Sequence, residues 1–600
     1  MSTLERLAAL RREIRQRDLD GFLVPRADEY QGEYVPPCSE RLRWLTGFSG
    51  SAGFAVVLAD QAVLFVDGRY TLQARQEADP ALFSFQSLVE LPPDRWLAAN
   101  LPAGAALGYD PWLHTPDGVR RLRDACRQAG GRLVACDDNP LDALWTDRPL
   151  PPLAPVVPHP ERFAGADSAE KRKIVASALA AARVDAVVLS APDSIAWLLN
   201  LRGGDVPYAP LPLCFAVFHV SGPEGDGPWL ELFVDSRKVS ADTERHLGSR
   251  VSCQSPSELG TALEALGRAR RRVRLDAQGT SQWIFERLRV AGAVLDCGAD
   301  PCALPKACKN PVELDGARAA HRRDGVAMCR FLAWLAWATR SGTVTEIGAA
   351  DRLEQFRQEG DLFRGLSFPT ISAAGPDGAI VHYRALPETD RPLVSGSLYL
   401  VDSGAQYLDG TTDVTRTVAI GTLTREHRHR FTLVLKGHIA IATTIFPAGT
   451  TGSQLDALAR HALWQEGLDY DHGTGHGVGS YLSVHEGPHR ISPVGNSIAL
   501  KPGMIVSNEP GYYKAGAFGI RIESLLAVVE PPPPAGAERQ MLGFETLTLV
   551  PIDRALVEPE LLTAAERAWF DAYHRRVRES LAPHLPADAA AWLEQATAPL

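Results

Sequence analysis

The chain has 600 residues, 45% hydrophobic and 22% charged, the profile of a soluble globular enzyme with roughly three to five domains. Its formal net charge of −10, with no long Lys/Arg block, argues against a nucleic-acid partner. Nine cysteines without a CxxC pair exclude a disulfide framework and a zinc knuckle, which fits a reducing cytoplasm, and no apolar run approaches the ~20 residues of a membrane span.

In chain order, MSTLERLAALRREIRQRD reads as an amphipathic helix and not a signal peptide. A strand at Leu19–Val24 follows, then RLRWLTGFSGS, a strand pair at Gly53–Leu58 and Ala62–Val66, and Asp67-Gly68-Arg69-Tyr70. A related order recurs about 165 residues later: Val184–Leu189, SIAWLLNLRG, Phe215–Phe218, then Leu232–Arg237 with its own Val-Asp-x-Arg. Two such copies predict duplicated α/β domains. The six prolines between Pro149 and Pro160 make a stiff linker, and Pro301, Pro305 and Pro311 mark a second break. Beyond it, Val312–Trp337 reads as a long helix with Ala, Leu, Met and Trp on one face. Pro531–Pro534 reads as a surface loop. The tail, Leu561–Leu581, reads as a helix ending before Pro583, packed through Trp569, Phe570 and Tyr573.

The chemistry gathers in the last third. Leu398–Ile420 predicts a β-hairpin; a midpoint between Tyr407 and Leu408 would set Asp402 opposite Asp413. Both could be solvated turn residues, but Asp402 follows four apolar residues, and a buried carboxylate needs a partner such as a metal. Downstream, Asp471–Ser480 carries His472, His476 and four alternating glycines, with His485 and His489 close behind. The glycines permit close backbone approach without forming a dinucleotide fingerprint. His485–His489 matches H-E-x-x-H, yet Gly487 and Pro488 cannot sit in the helix that a zinc signature requires. A second hairpin is predicted over 505–526, with Glu509 and Glu523 symmetric about Gly516. Asp402, Asp413, Glu509 and Glu523 carry a formal −4, which two divalent cations would neutralise. Four carboxylates with His476 suit Mn²⁺ and tolerate Co²⁺, Zn²⁺ or Fe²⁺, pointing to metal-assisted hydrolysis. No G-x-S-x-G elbow supports covalent catalysis.

Together VDSGAQYLDGTTDVTRT, HGTGHGVG, HEGP, NEPGYY and GIRIES resemble the aminopeptidase P (Xaa-Pro aminopeptidase) family of pita-bread metallopeptidases, in its long three-domain cytosolic form. The resemblance implies an α/β and α+β architecture: creatinase-type domains at 1–150 and 161–300, then a pita-bread catalytic domain at 306–600 with a C-terminal helical extension. It implies metal ligation by Asp402, Asp413, His476, Glu509 and Glu523, with Asp413 and Glu523 bridging and Glu509 also acting as acid and base. His382, His472 and His485 would contact substrate, with His382 or His485 polarising the scissile carbonyl, and Arg69 would touch the peptide unless it serves an ion pair between domains. Arg521 is placed to orient the metal carboxylates from behind. The implied reaction is cleavage of the N-terminal Xaa-Pro bond of peptides by a hydroxide held between two metal ions, in a cytoplasmic homodimer without nucleic-acid or membrane partners. The alternatives are a prolidase restricted to Xaa-Pro dipeptides and a non-catalytic pita-bread protein that binds peptides.

Overall fold

In the computed structural model, which describes residues 1–222 and 227–600, the chain divides into two units. The first is Met1–Pro160 with Ala166–Cys302, the second Glu161–Gly165 with Ala303–Leu600.

The first unit contains two six-stranded sheets of the same design. In one, β1 (Gly21–Pro25), β2 (Gly53–Leu58), β3 (Ala62–Val66), β4 (Ser84–Ser87), β5 (Ala106–Tyr109) and β6 (Arg132–Ala135) run in the order β4-β3-β2-β1-β5-β6. In the other, β7 (Ala186–Leu189), β8 (Phe215–His219), β9 (Trp229–Phe233), β10 (Val251–Gln254), β11 (Arg272–Leu275) and β12 (Val294–Cys297) run β10-β9-β8-β7-β11-β12. In both, the three strands that open the copy pair antiparallel and the rest pair parallel. The parallel steps need crossovers, which helices Pro116–Gln128 and Gln282–Ala291 supply before the last strand of each sheet. The element order repeated in the sequence therefore folds twice into one topology. Trp112 stacks on Trp283 at 4.0 Å and Tyr30 on Phe215 at 4.5 Å, joining the copies through aromatic faces.

The second unit is built on helix Pro311–Ala338, started by a capping box between Asn310 and Glu313 with Pro311 in its first turn. Its buried stripe includes Ala317, Ala320, Met328, Phe331 and Leu335. Trp334 packs against the same core, as the Trp on that face was expected to, while Trp337 is 72% exposed, because two residues past Leu335 a helix has turned about 200°. Strands β13 (Ile371–Ala374), β14 (Ser397–Ser403) and β15 (Val414–Ile420) form one sheet. A six-stranded sheet runs from Phe446–Pro447 through Met541–Thr546, Ser524–Val529, Ile505–Asn508 and Gly475–Gly477 to Glu486–Ile491. Gly511–Lys514 and Phe518–Arg521 make a separate ribbon between two of those strands. Helix Ala564–Leu581 packs through Phe570 and Tyr573, and Trp569 stacks on Tyr573. A further helix, Ala587–Ala596, buries Leu593 after the proline that had read as a stop. Among the described residues no helix is long and apolar enough to cross a membrane.

Candidate active site

Strands β14 and β15 pair from Ser397 with Ile420 to Ser403 with Val414, which sets Asp402 opposite Thr415. The expected pairing with Asp413 is thus corrected: the turn centres one residue later, on Leu408 and Asp409. The long helix explains the shift. Arg323 forms an ion pair with Asp409, and Gly410 packs against Ala317 and Ala320, which fixes where the chain reverses. Asp413 becomes the diagonal neighbour of Asp402 and keeps to its face.

The second hairpin has the register its spacing predicts. Gly511 pairs with Arg521 and Asn508 with Ser524, so Glu509 and Glu523 occupy matching positions about Gly516, whose φ of +70° allows the turn. The two hairpins are stitched together. Glu523 N–H donates to the Thr415 carbonyl at 3.1 Å, the Thr415 hydroxyl donates to Glu523 Oε2 at 2.7 Å, and the Thr417 hydroxyl donates to the Arg521 carbonyl at 3.0 Å. Arg416, buried between them, spans the Glu523, Val550 and Pro551 carbonyls.

His476 enters from the glycine-rich strand. A Cβ on Gly475 would stand 1.9 Å from the Ser507 carbonyl, and one on Gly477 would stand 2.2 Å from that of Glu486, so only glycine lets the backbone through. The His476 N–H donates to Ser507 Oγ at 2.9 Å and Nδ1–H to the Gly477 carbonyl at 2.9 Å. That tautomer leaves Nε2 facing Asp413 Oδ2 at 3.5 Å and Glu509 Oε1 at 3.6 Å. Ligand atoms of Asp413, His476 and Glu523 lie within 4.8 Å of one another.

Arg521 closes the cluster from behind. It donates to Asp402 Oδ2 at 2.7 Å, to Thr415 Oγ1 at 3.2 Å and to the Tyr513 hydroxyl at 2.7 Å. Tyr513 in turn donates to His472 Nε2 at 2.9 Å, while His472 Nδ1–H donates to the Gly473 carbonyl at 2.8 Å. Burial pushes His472 down to about 4, so the ring is neutral with both nitrogens engaged. His485 meets His476 edge-on, with ring centroids 4.3 Å apart. His382 is half-buried beside Val381, whose carbonyl accepts from Arg521, and next to Tyr383, whose hydroxyl donates to buried Glu346 at 2.9 Å.

The electrostatics are those of an anion cluster. Burial, reinforced by Asp413 and opposed by Arg521, lifts Asp402 to about 6. Burial, then Asp413, Glu509 and Asp402, lift Glu523 well above the carboxylate range. Burial alone would depress His476, but the hydrogen bond to Asp413 and the charge of Glu509 override it and hold the imidazole at about 9. The Oδ1 atoms of Asp402 and Asp413 are buried without a hydrogen-bond partner. Orphaned carboxylate oxygens, protons retained above their usual range and an imidazole Nε2 facing two carboxylates are what divalent cations would satisfy; the donor set fits them.

Arg69 lies in the first unit. It pairs with Asp67, Nη2 to Oδ2 at 2.6 Å, and Arg237 does the same with Asp235 in the second copy. The repeated Val-Asp-x-Arg therefore has a local partner within the motif in both copies. Four buried cationic side chains around the site have no counterpart in the motif reading. Arg357 grips Asp324 at 2.8 and 3.1 Å and holds Ser403, next to Asp402. Arg460 pairs with Asp456 and donates to the Tyr470 and His472 carbonyls at 2.6 and 2.7 Å. Lys306 and Lys309 meet on Glu486. Only Asp456 and Arg460, four apart on helix Gly452–Trp464, carried a local signal.

A model of metallopeptidase family M24 matches residues 315–530. A probable Xaa-Pro aminopeptidase P from Paracoccidioides brasiliensis is 40% identical over 620 residues, covering all of both chains. The chain belongs to metallopeptidase family M24, in its Xaa-Pro aminopeptidase P branch. Two creatinase/prolidase N-terminal domain models match 6–143 and 147–313, and a C-terminal M24 region matches 540–600. This M24 member thus carries creatinase-type N-terminal domains before a pita-bread catalytic domain. A probable Xaa-Pro aminopeptidase P of Aspergillus fumigatus is likewise 40% identical, over all of this chain and 93% of its own. The crystal structure of the X-prolyl aminopeptidase of Caenorhabditis elegans, described as a cytosolic enzyme with a di-nuclear active site, superposes with a TM-score of 0.95 at 34% identity over the whole of both chains. The dipeptidase PepE of Mycobacterium ulcerans shares the fold, with a TM-score of 0.50 at 24% identity over 64% of this chain and 95% of its own.

Proposed function

We propose that this enzyme removes the first residue from peptides whose second residue is proline, at a site that holds two divalent cations. One observation carries the reading: four carboxylates on two interlocked hairpins meet the imidazole of His476 from the glycine-rich strand, with buried oxygens on Asp402 and Asp413 left without partners. The full-length likeness to Xaa-Pro aminopeptidases supports the substrate class.

Asp402, Asp413, His476, Glu509 and Glu523 would hold the cations, Mn²⁺ before Co²⁺, Zn²⁺ or Fe²⁺ on this oxygen-rich set, with Asp413 and Glu523 shared between them. Bound there, the cations supply Lewis-acid polarisation and a nucleophile active near neutral pH. The protein does the rest. Glu509 keeps 19% of its side chain exposed against 5% for Asp413, and Ser507 Oγ–H donates to it at 3.1 Å; it takes the attacking water's proton and delivers it to the departing proline nitrogen. An amide nitrogen departs as the amine, so it must gain a proton as the C–N bond breaks. His485 and His382 donate to the scissile carbonyl oxygen. His472, both nitrogens occupied, offers its ring to the apolar proline. Arg521 holds Asp402 in place. A cytosolic, homodimeric enzyme with domains at 1–150, 161–300 and 306–600 is part of the same proposal.

The test is to assay Mn²⁺-loaded and chelator-stripped protein on Arg-Pro-Pro and on an Xaa-Pro dipeptide. Tripeptide cleavage that chelation abolishes is expected. Cleavage of the dipeptide alone favours a prolidase, and no cleavage with peptide binding favours a scaffold.

A further inference from the structure

The H-E-x-x-H stretch, 485–489, matches a zinc signature by letter, yet the proposed reaction uses only its first histidine. The fold gives its glutamate a different use. Glu486–Ile491 is a strand, so neighbouring side chains leave on opposite faces. His485 sits on the exposed side, edge-on to His476, and Glu486 points into the protein.

The Glu486 carboxylate receives one ammonium group on each oxygen. Lys306 Nζ lies 2.8 Å from Oε2, and Lys309 Nζ bonds Oε1. None of the three side chains is more than 3% exposed. Burial opposes the charge on Glu486, but Lys306 and Lys309 override it and hold the carboxyl below its usual range. The lysines are themselves anchored. Lys306 lies on helix Ala303–Ala307, and Lys309 N–H donates to the Gly503 carbonyl at 2.9 Å, just ahead of the strand that leads to Glu509. On its other side Glu486 pairs through its backbone with Gly477, the residue after His476. One carboxylate therefore ties the opening of the catalytic unit to the strand of His476 and to the residue bearing His485.

We propose that Glu486 is a positioning residue: clamped by Lys306 and Lys309, it fixes the backbone of His485 so that the imidazole beside His476 reaches the scissile carbonyl oxygen. Two salt bridges on separate oxygens leave the carboxylate no freedom to rotate, and a misplacement of about 1 Å at a reacting group costs on the order of 100-fold in rate. The inference rests on the role proposed above for His485.

The experiment is a double-mutant cycle on Mn²⁺-loaded enzyme with Arg-Pro-Pro, comparing the parent, Glu486→Gln, His485→Ala and the combined variant, with bound metal measured in each. Glu486→Gln is expected to lower kcat by about 10- to 100-fold with metal content and KM little changed. In the His485→Ala background the same change should lower kcat by less than about twofold, because the group it positions is gone. An equal loss in both backgrounds overturns the inference, since Glu486 then acts on the protein at large. A His485→Ala variant with undiminished kcat also overturns it, while chelator-sensitive cleavage by the parent would leave the proposed function standing. Glu486→Gln strands two buried ammonium groups, so Glu486→Gln with Lys309→Met, which conserves the formal charge of the cluster, is run through the same cycle and carries the same prediction if the single variant does not fold.

Discussion

Glu486 and Glu523 are both buried in the catalytic unit, 4% and 2% exposed, and their surroundings are opposite. Glu486 has an ammonium group on each oxygen and its carboxyl is held below the usual range. Glu523 has a threonine hydroxyl and three other carboxylates for company, and its carboxyl is driven well above that range. A buried charge is tolerated when it is paired, so the first glutamate is complete within the chain. The second is surrounded by like charge, which the proposed cations would offset. Burial alone does not mark a functional carboxylate; the sign of the charge around it does.

The sharpest way to break this comparison is to neutralise each glutamate in turn. Glu523→Gln is expected to abolish two-ion loading and to lower kcat/KM by at least about 1,000-fold, read by metal analysis and Arg-Pro-Pro hydrolysis. Glu486→Gln should keep both ions. Stability should move the other way. Removing the carboxylate from between Lys306 and Lys309 is expected to cost about 3–5 kcal/mol, whereas metal-free Glu523→Gln should unfold no earlier than the metal-free parent in the same thermal melts.

Titration refines the contrast. Glu523 has a folded-state pKa raised above its ordinary 4.5, so the folded state binds the extra proton and stability falls as pH rises past that value. Metal-free parent should therefore lose ground to metal-free Glu523→Gln on going from pH 4 to pH 8, with added Mn²⁺ reversing the difference. A gap that is constant with pH would contradict the assignment. The smallest effect is expected at the loop clamp. Arg460→Lys keeps a charge beside Asp456 but loses the forked donation to the Tyr470 and His472 carbonyls, and should raise KM by about two- to tenfold with metal content unchanged.

Much of this was readable in the sequence because local patterns and local structure agree. The second hairpin is symmetric about Gly516, and its register follows from the glycine turn. The two N-terminal sheets repeat because their strand, helix and turn signals repeat. The first hairpin was misread by one residue because its turn is set from outside, by Arg323 and the helix beneath Gly410. The apolar face of the long helix was legible too: Trp334 packs on the core, and helical phase puts Trp337 in solvent. Helix Ala587–Ala596 was missed because Pro583 read as a stop, although Pro586 soon after stands at its N-cap. The clamps Arg357–Asp324 and Lys306–Glu486 join residues 33 and 180 positions apart, and no window of sequence contains both partners.

The central claim is that the acidic cluster takes up two divalent cations and needs them for Xaa-Pro cleavage. The direct measurement is a calorimetric titration of chelator-stripped protein with Mn²⁺, with Arg-Pro-Pro cleavage followed across the same titration. Saturation at two ions per chain, with activity absent at the start and full at saturation, is the predicted result. Saturation at one ion or none, or full activity in the stripped protein, would contradict it.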